Sequence, residues 1–442
     1  MPLKPFTEVV MAVFFRSFPV AAFIAICLFS LPAFAENPPL FTKKYSRTVG
    51  KPDVYSDSFK SCNTGATYKM VVQNNGTLGL GRISSGSITL NGSEVIKESD
   101  FNQKVEKIER NVTLAEANTL DVKLASGPGG TLNVSIFCSA NCLEVKITEP
   151  QTGASRISTF LLKGELYNAQ GMMDIKVDNG HGRKKRVYKS GRQFGGMMSM
   201  PANSNLSGYV SEAVFTATAT DACGYKAVDS VTVRYMDDPT NSQPGEMPVN
   251  PEFAVISKKT GVARVEVGNP DYKNSPYHYE WDFEGDGVVD TSGTGLLGFY
   301  HEYKQPGFYT PISKEFLSDG AVSIGVGAVA VITEDELDAE IKPVWNGLKA
   351  ALARGDINGA LEFVEPRSRE KYRKLYEIMK SNGTLSLAAS EMGEPRLDWA
   401  ADYTATYLVT RKQMFKGAEK EITFEIRFSQ DNDTGLWRIE RY

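Results

Sequence analysis

Histidine is scarce in this chain, 3 residues in 442, and only 5 cysteines accompany it. Chemistry that leans on imidazole or thiolate therefore has few candidates. The patterns G-x-S-x-G and H-E-x-x-H are both missing, which removes two common hydrolase and metallopeptidase constellations. Charge of one sign is missing too: 49 basic residues face 53 acidic ones, for a net charge of −4, so no strong field favours nucleic acid. Beyond Leu31 no apolar run approaches the ~20 residues a transmembrane helix needs, which excludes a polytopic membrane protein. The glycine clusters Gly79-Leu80-Gly81 and Gly325-Val326-Gly327 lack the strand, turn and helix setting of a phosphate cradle. What is present is ordinary for a soluble globular protein: 41% hydrophobic and 23% charged residues, in a length that accommodates three or four domains of ~100–150 residues.

The first 35 residues read as a signal peptide. Lys4 and Arg16 precede an apolar stretch from Val20 to Leu31, and Ala33-Phe34-Ala35 supplies the small-residue cleavage pattern. Cleavage before Glu36 is preferred over an uncleaved anchor because Arg16 and Pro19 interrupt the longer apolar run. Loss of Lys4, Glu8 and Arg16 takes the net charge to −5. The expected location is outside the cytoplasm, in the periplasm or at the cell surface. Four cysteines, Cys62, Cys138, Cys142 and Cys223, then enter an oxidising compartment. Cys138 and Cys142 bracket a short turn, which makes them the simplest disulfide, leaving Cys62 and Cys223 to pair or to stay free. Without a C-x-x-C pair or a nearby His, zinc is disfavoured.

The rest divides into four blocks and a linker. Residues 43–141 alternate apolar with polar side chains over short runs such as Leu120-Asp121-Val122-Lys123-Leu124, punctuated by Asn91-Gly92 and Gly127-Pro128-Gly129-Gly130. This is the signature of an antiparallel sandwich. Residues 142–236 repeat it, and carry Arg183-Lys184-Lys185-Arg186-Val187-Tyr188-Lys189-Ser190-Gly191-Arg192. Six basic residues in ten (Arg183, Lys184, Lys185, Arg186, Lys189, Arg192) are polyanion-binding candidates. The plainer reading, a solvated hairpin, is preferred because no set of stacking aromatics accompanies the charge. Residues 237–250, rich in Pro and polar side chains, read as a linker.

Residues 251–332 contain the most specific pattern. Tyr277, Tyr279, Trp281 and Phe283 share one face of a strand that ends in Gly285-Asp286-Gly287, followed by His301-Glu302-Tyr303 and Pro306-Gly307-Phe308-Tyr309. The order W-D-F-x-G-D-G, H-x-Y, P-G-x-Y resembles PKD-type Ig-like β-sandwich domains of bacterial extracellular proteins. The resemblance implies a core Trp281, a tight Asp-Gly turn and a packed Tyr309, with Pro311 departing from the usual uninterrupted strand. The two earlier blocks resemble Ig-like modules of bacterial surface proteins, the second through Ala217–Asp221 and Asp229–Val233. Asp282, Glu284, Asp286 and Asp290 are weak calcium candidates: Gly287 falls at the sixth place of a calcium loop, but the twelfth is Gly293, where a bidentate Glu is needed. Otherwise no cofactor is expected.

Residues 333–442 change character. Thr333 and Glu336 have capping-box spacing before Leu337, Ile341, Val344, Trp345, Leu348 and Leu352, which predicts an amphipathic helix to Gly355, with Pro343 kinking it or starting its second half. Asp356 and Ser368 cap two further helices, and three strands follow, Tyr403–Thr410, Glu421–Phe428 and Leu436–Tyr442. Helix, Ala353–Leu361 turn, helix and strands closing on Trp437-Arg438-Ile439 resemble the cone of the nuclear transport factor 2-like superfamily. Members use the concave pocket for small-ligand chemistry or for association. With no His or Cys here, a pocket acid–base pair would come from residues such as Asp398, Asp402, Tyr403 or Glu425, while Trp345, Trp399 and Trp437 read as core.

The chain is therefore expected to be multidomain: tandem all-β Ig-like and PKD-type sandwiches followed by an α+β cone. The expected function is non-catalytic, a modular scaffold, adhesion or binding protein for a protein or glycan partner, with neither nucleic acid nor a membrane span, and the C-terminal domain is the candidate homodimer interface. The alternatives are ligand binding or enzyme activity in the C-terminal pocket, and a polyanion-binding adhesin.

Overall fold

In the computed structural model the described residues are 39–442, except 76–80, 157, 172, 204–207, 237–244, 269–277, 295–297, 319, 416–417 and 432–433. The expected signal peptide, Tyr277 and the first part of the expected linker lie outside them. The molecule is mostly β, built as successive sheets whose period-two alternation was visible in the sequence. Among the described residues no helix is long and apolar enough to cross a membrane.

The first block is a sandwich of two four-stranded sheets. Phe41–Ser46, Thr131–Ala140, Thr67–Asn75 and Lys107–Val112 lie side by side in one, and Asp53–Lys60, Ala117–Leu124, Gly86–Leu90 and Ser93–Ile96 in the other. Leu120, Val122, Leu124, Leu132, Val134 and Ile136, the apolar members of alternating pairs, fill the space between them. The second block is one eight-stranded sheet that curls on itself: the amide of Ile147 on an end strand donates to the Asp229 carboxylate near the opposite end (2.7 Å). Its core contains Phe160, Leu162, Phe194, Phe215, Ala217 and Val233. Cys62 is bonded to Cys223, tying the first block to the second across 161 residues of sequence, and Cys138 is bonded to Cys142 within its turn.

The third block pairs a five-stranded with a three-stranded sheet around Tyr279, Trp281, Phe283, Val265, Val267 and Tyr303. The end of the expected linker belongs to it. Gly245–Glu246 runs parallel to Val322–Val326, and Val249–Asn250 pairs with Ala263–Gly268. Met247 between them is buried, so this stretch is anchored by burial and by backbone hydrogen bonds that composition did not reveal. Pro311 marks a change of sheet. Gly307–Tyr309 before it pairs with Val329–Val331, whereas Ile312–Phe316 after it pairs with His278–Asp282.

The expected boundary at residue 332 is no gap in the structure. A seven-stranded sheet runs Gly307–Tyr309, Val329–Thr333, Phe253–Ile256, Arg396–Ala401, Thr404–Phe415, Ala418–Gln430, Trp437–Arg441, so three strands of the third block join four of the last. Arg396–Ala401 was not foreseen as a strand. Val329–Thr333 passes directly into helix α1 (Glu334–Ala353), and the capping box is formed: Thr333 Oγ1 accepts from the Glu336 amide, and the Glu336 carboxylate accepts from the Thr333 amide (2.7 Å). Pro343 lies inside α1, a helix of 20 residues that continues through it. Helices α2 (Ile357–Leu361), α3 (Arg369–Ser381) and α4 (Leu385–Glu391) complete the layer. Asp356 caps α2 through the Gly359 amide (2.9 Å). Ser368 instead donates its hydroxyl to the Glu440 carbonyl (3.0 Å).

Because Cys62–Cys223 closes a long loop, its loss releases chain entropy in the unfolded state, on the order of 2–4 kcal/mol. The double variant Cys62→Ser, Cys223→Ser is expected to unfold at clearly lower urea than the parent, with a smaller effect from Cys138→Ser, Cys142→Ser, whose loop is short. Urea titration followed by circular dichroism checks the order of the two midpoints.

Candidate functional site

The terminal domain holds an apolar pocket of about 240 Å³ between α1, α3 and α4 on one side and the long strands Thr404–Phe415 and Ala418–Gln430 on the other. Helical spacing puts Trp345 and Leu352 of α1 on its wall, and Leu375, Tyr376 and Met379 follow the same rule on α3. Trp345 is held by its indole N–H on the Gly393 carbonyl (2.9 Å). At the deep end the hydroxyls of Tyr376 and Tyr442 are hydrogen-bonded to each other. The Tyr442 ring lies parallel to Tyr372 at 4.9 Å, and the Tyr442 amide donates to the Tyr372 hydroxyl (2.9 Å). Burial pushes both hydroxyls of the Tyr376–Tyr442 pair well above the usual tyrosine range, so they stay neutral.

Among the described residues lining the pocket Arg411 alone is charged, and its guanidinium lies over the Phe424 ring at 4.7 Å. Of the lining residues Leu375 and Phe424 expose 43% and 37% of their surface, and Ile378 of α3 and Leu387 of α4 are exposed as well. This lining can desolvate an apolar group and offers no carboxylate for proton transfer.

The four residues suggested for a pocket acid–base pair lie elsewhere. Asp398 is exposed, and Glu425 pairs with Arg441 (2.5 Å). The Asp402 carboxylate accepts from the Phe253 amide (3.1 Å), and burial raises it above the usual carboxylate range. Tyr403 packs against Tyr188 at 5.2 Å. Trp345 and Trp437 are core, but Trp399 is 54% exposed, beside a strand irregularity between Leu397 and Trp399 that turns it outward. The pocket residues Arg411, Phe424, Met379 and Met392 carried no sequence signal beyond ordinary amphipathic periodicity.

The basic stretch forms the strand Lys184–Ser190 and its turns, and five of its six cations stand beside carboxylates. Lys184 pairs with Asp178 (3.5 Å), Lys185 with Glu252 (3.0 Å), Arg186 with Asp174 (2.6 Å) and Arg192 with Glu165 (3.9 Å). Lys189 stands 3.9 Å from Glu340. Arg183 sits in the hairpin turn organised by Asn179, whose side-chain oxygen accepts from the Arg183 amide (3.2 Å). Lys185, Arg186 and Lys189 are thus half-buried beside carboxylates and fasten the second block internally, while Arg183, Lys184 and Arg192 are exposed, as a solvated hairpin requires.

Three of the four calcium candidates converge: carboxylate oxygens of Asp282, Glu284 and Asp290 lie within 4.8 Å of one another, without Asp286. Their oxygens serve the turn itself. Asp282 accepts from the amides of Gly285 (2.6 Å), Asp286 (3.2 Å) and Gly287 (2.7 Å), and Asp290 from Phe283 (2.7 Å). Asp286 is turned away onto the Val288 amide (2.8 Å). The donors fit an amide-binding Asp turn better than a calcium loop, which needs six or more free oxygens. Cys62, Cys223 and Asp221 also cluster, but the disulfide consumes both sulfurs.

No family model and no curated protein matches the sequence. Among solved structures, the chain is similar to fibronectin(III)-like modules of Clostridium thermocellum CbhA, at 12% identity over 43% of this chain and 95% of that one, with a TM-score of 0.16. It is also similar to a 1.5-MDa bacterial ice-binding adhesin (12% identity, 64% of this chain, 98% of that one, TM-score 0.16) and to an Ntf2-like protein involved in plasmid conjugation (8%, 60% and 76%, TM-score 0.16). At such scores the likeness carries nothing about function.

Burial, helped by the facing Asp290, raises the Glu284 carboxyl from 4.5 to about 7. A carboxyl raised in the folded state contributes its full stability below about 4.5 and loses it as pH climbs through about 7. Glu284→Gln is expected to be increasingly more stable than the parent as pH rises across that window. His301, 3.4 Å from Glu284, is lowered by burial and acts in the opposite sense, so the comparison is made in a His301→Gln background, where Glu284 titrates without it. Thermal midpoints of both proteins at pH 4.5, 6 and 8 check this, and parallel profiles would refute it.

Proposed function

We propose that this chain is an exported, non-catalytic modular binding protein, whose terminal domain takes an apolar group of a protein partner into the pocket between Trp345 and Tyr442. The observation that carries the reading is the lining: aromatic and aliphatic walls, one cation at the edge, and exposed apolar side chains around the mouth. A pocket of about 240 Å³ suits one or two side chains, and an exposed apolar rim is the kind of surface a macromolecular partner covers. The order of helices followed by an antiparallel meander supports a nuclear transport factor 2-like cone for this domain, and the Trp281 core with its Asp-Gly turn supports a PKD-type module before it. Two disulfides support an oxidising location.

Selection of displayed peptides against residues 36–442 tests this. The enriched peptides are expected to share a Leu, Phe or Trp anchor and to lose at least tenfold in affinity against Ala388→Phe, which fills the pocket from its wall. Peptides that bind parent and variant equally place the binding surface elsewhere.

A further inference from the structure

A second cavity, of about 510 Å³, lies where three blocks meet. Strands Met173–Asp178 and Lys184–Ser190 come from the second block, Phe253 and Ile332 from the shared sheet, and the first half of α1 from the terminal domain. Most of its wall is apolar, including Met173, Ile175, Tyr188, Phe253, Ile332 and Pro343. Its size falls within the ~300–1,000 Å³ usual for small-molecule sites, and mostly apolar walls with a few convergent polar groups are their usual composition.

Those polar groups are unevenly satisfied. Glu340 Oε2 accepts the indole N–H of Trp437 (3.0 Å), while Oε1 stands 3.9 Å from Lys189 Nζ, beyond direct hydrogen-bond reach. Gln430 also lines the cavity, and its Oε1 is buried with no hydrogen-bond partner among the described residues. A buried acceptor left unfilled is costly, about 1–3 kcal/mol, so such an atom marks a place for a donor. The charge count agrees. Arg186 is committed to Asp174 (2.6 Å) and to the Asp431 carbonyl (2.8 Å), and Glu336 to the Thr333 amide (2.7 Å), which leaves Glu340 and Lys189 as the charged groups open to a ligand.

We propose that this cavity binds a small monocationic amine with an apolar body, its ammonium donating to Glu340 and Gln430 and its body lying against Tyr188, Phe253 and Pro343. Burial already raises the Glu340 carboxyl, against the opposing pull of Lys189 and Trp437. Lys189 at 3.9 Å is the nearest counter-charge to Glu340, and an arriving ammonium supplies a second one within direct hydrogen-bond reach. The proposal is independent of the apolar pocket of the terminal domain, which shares no lining residue with this cavity.

The test uses residues 36–442 and two probes with the same phenethyl body and opposite charge, phenethylammonium and 3-phenylpropionate. Calorimetry reads the affinity, and Trp437, hydrogen-bonded to Glu340, reports occupancy through its fluorescence. Saturable binding of the amine with no binding of the carboxylate at matched concentration is expected. Glu340→Gln should weaken the amine at least tenfold. Ala339→Trp, at an exposed position on the cavity edge, should abolish binding while leaving the fold intact. The proposal is overturned if the carboxylate binds as well as the amine, if no saturable binding appears by 10 mM (about −2.7 kcal/mol), or if Glu340→Gln keeps the parent affinity. Should Glu340→Gln fail to fold, the probe comparison and Ala339→Trp decide the matter by themselves.

Discussion

The pairing of Phe253–Ile256 with Val329–Thr333, two parallel strands bonded from Phe253–Ala330 to Ile256–Thr333, is the joint on which the second half of the molecule depends. Val329–Thr333 is buried along four of its five residues. On one side it pairs with Gly307–Tyr309, its Val331 carbonyl accepts the Ser190 hydroxyl of the second block (2.7 Å), and its last residue caps α1. A strand that is at once an interior sheet strand, interblock contact and helix N-cap cannot shift register without undoing all three. The third block and the terminal domain are therefore one continuous β layer at this point, which sets where α1 starts and so where both cavities lie.

The second block is fastened to this layer by the residues that looked most like a free surface. Lys185 reaches Glu252, Tyr188 stacks on Phe253 at 5.3 Å, and Arg186 lies over Tyr403 at 5.6 Å. Burying charge is expensive unless it is paired and hydrogen-bonded, which is why each of these cations has a carboxylate, a carbonyl or an aromatic face in reach. The same seam leaves the cavity around Glu340, since an apolar stack cannot close over a buried carboxylate without leaving room for its solvation or for a ligand.

Two kinds of site follow from two kinds of enclosure. The pocket of the terminal domain is formed within one domain, from amphipathic faces whose apolar sides exceed what the sheet covers, and its chemistry is correspondingly bare. The cavity at Glu340 is formed between blocks, and its polar groups come from segments more than 200 residues apart in sequence. The acidic turn at Asp282 is different again: two of its three clustered carboxylates, Asp282 and Asp290, are held by backbone amides, so their charge serves the loop.

Local order was readable because it follows from spacing. Alternation marked the strands of the first sandwich, the Thr333–Glu336 spacing marked the start of α1, and Cys138 and Cys142 lay too close across a turn to suggest any simpler partner. Asn and Gly residues such as Asn91-Gly92, at positive φ in the structure, marked turns for the same reason. What the sequence could not determine was which elements would meet. The strand Arg396–Ala401, the sheet shared across residue 332, the pairing of Gly245–Glu246 and Val249–Asn250, and the partners of Lys184 to Arg192 all depend on contacts between distant segments. Trp399 carried the same apolar signal as Trp345 and Trp437, yet a strand irregularity turned it to solvent. Side-chain type and period are local properties, so the chain alone determined its elements and their faces. Burial, ion pairing and enclosure are properties of the assembled surfaces, so only the tertiary structure decided the sites.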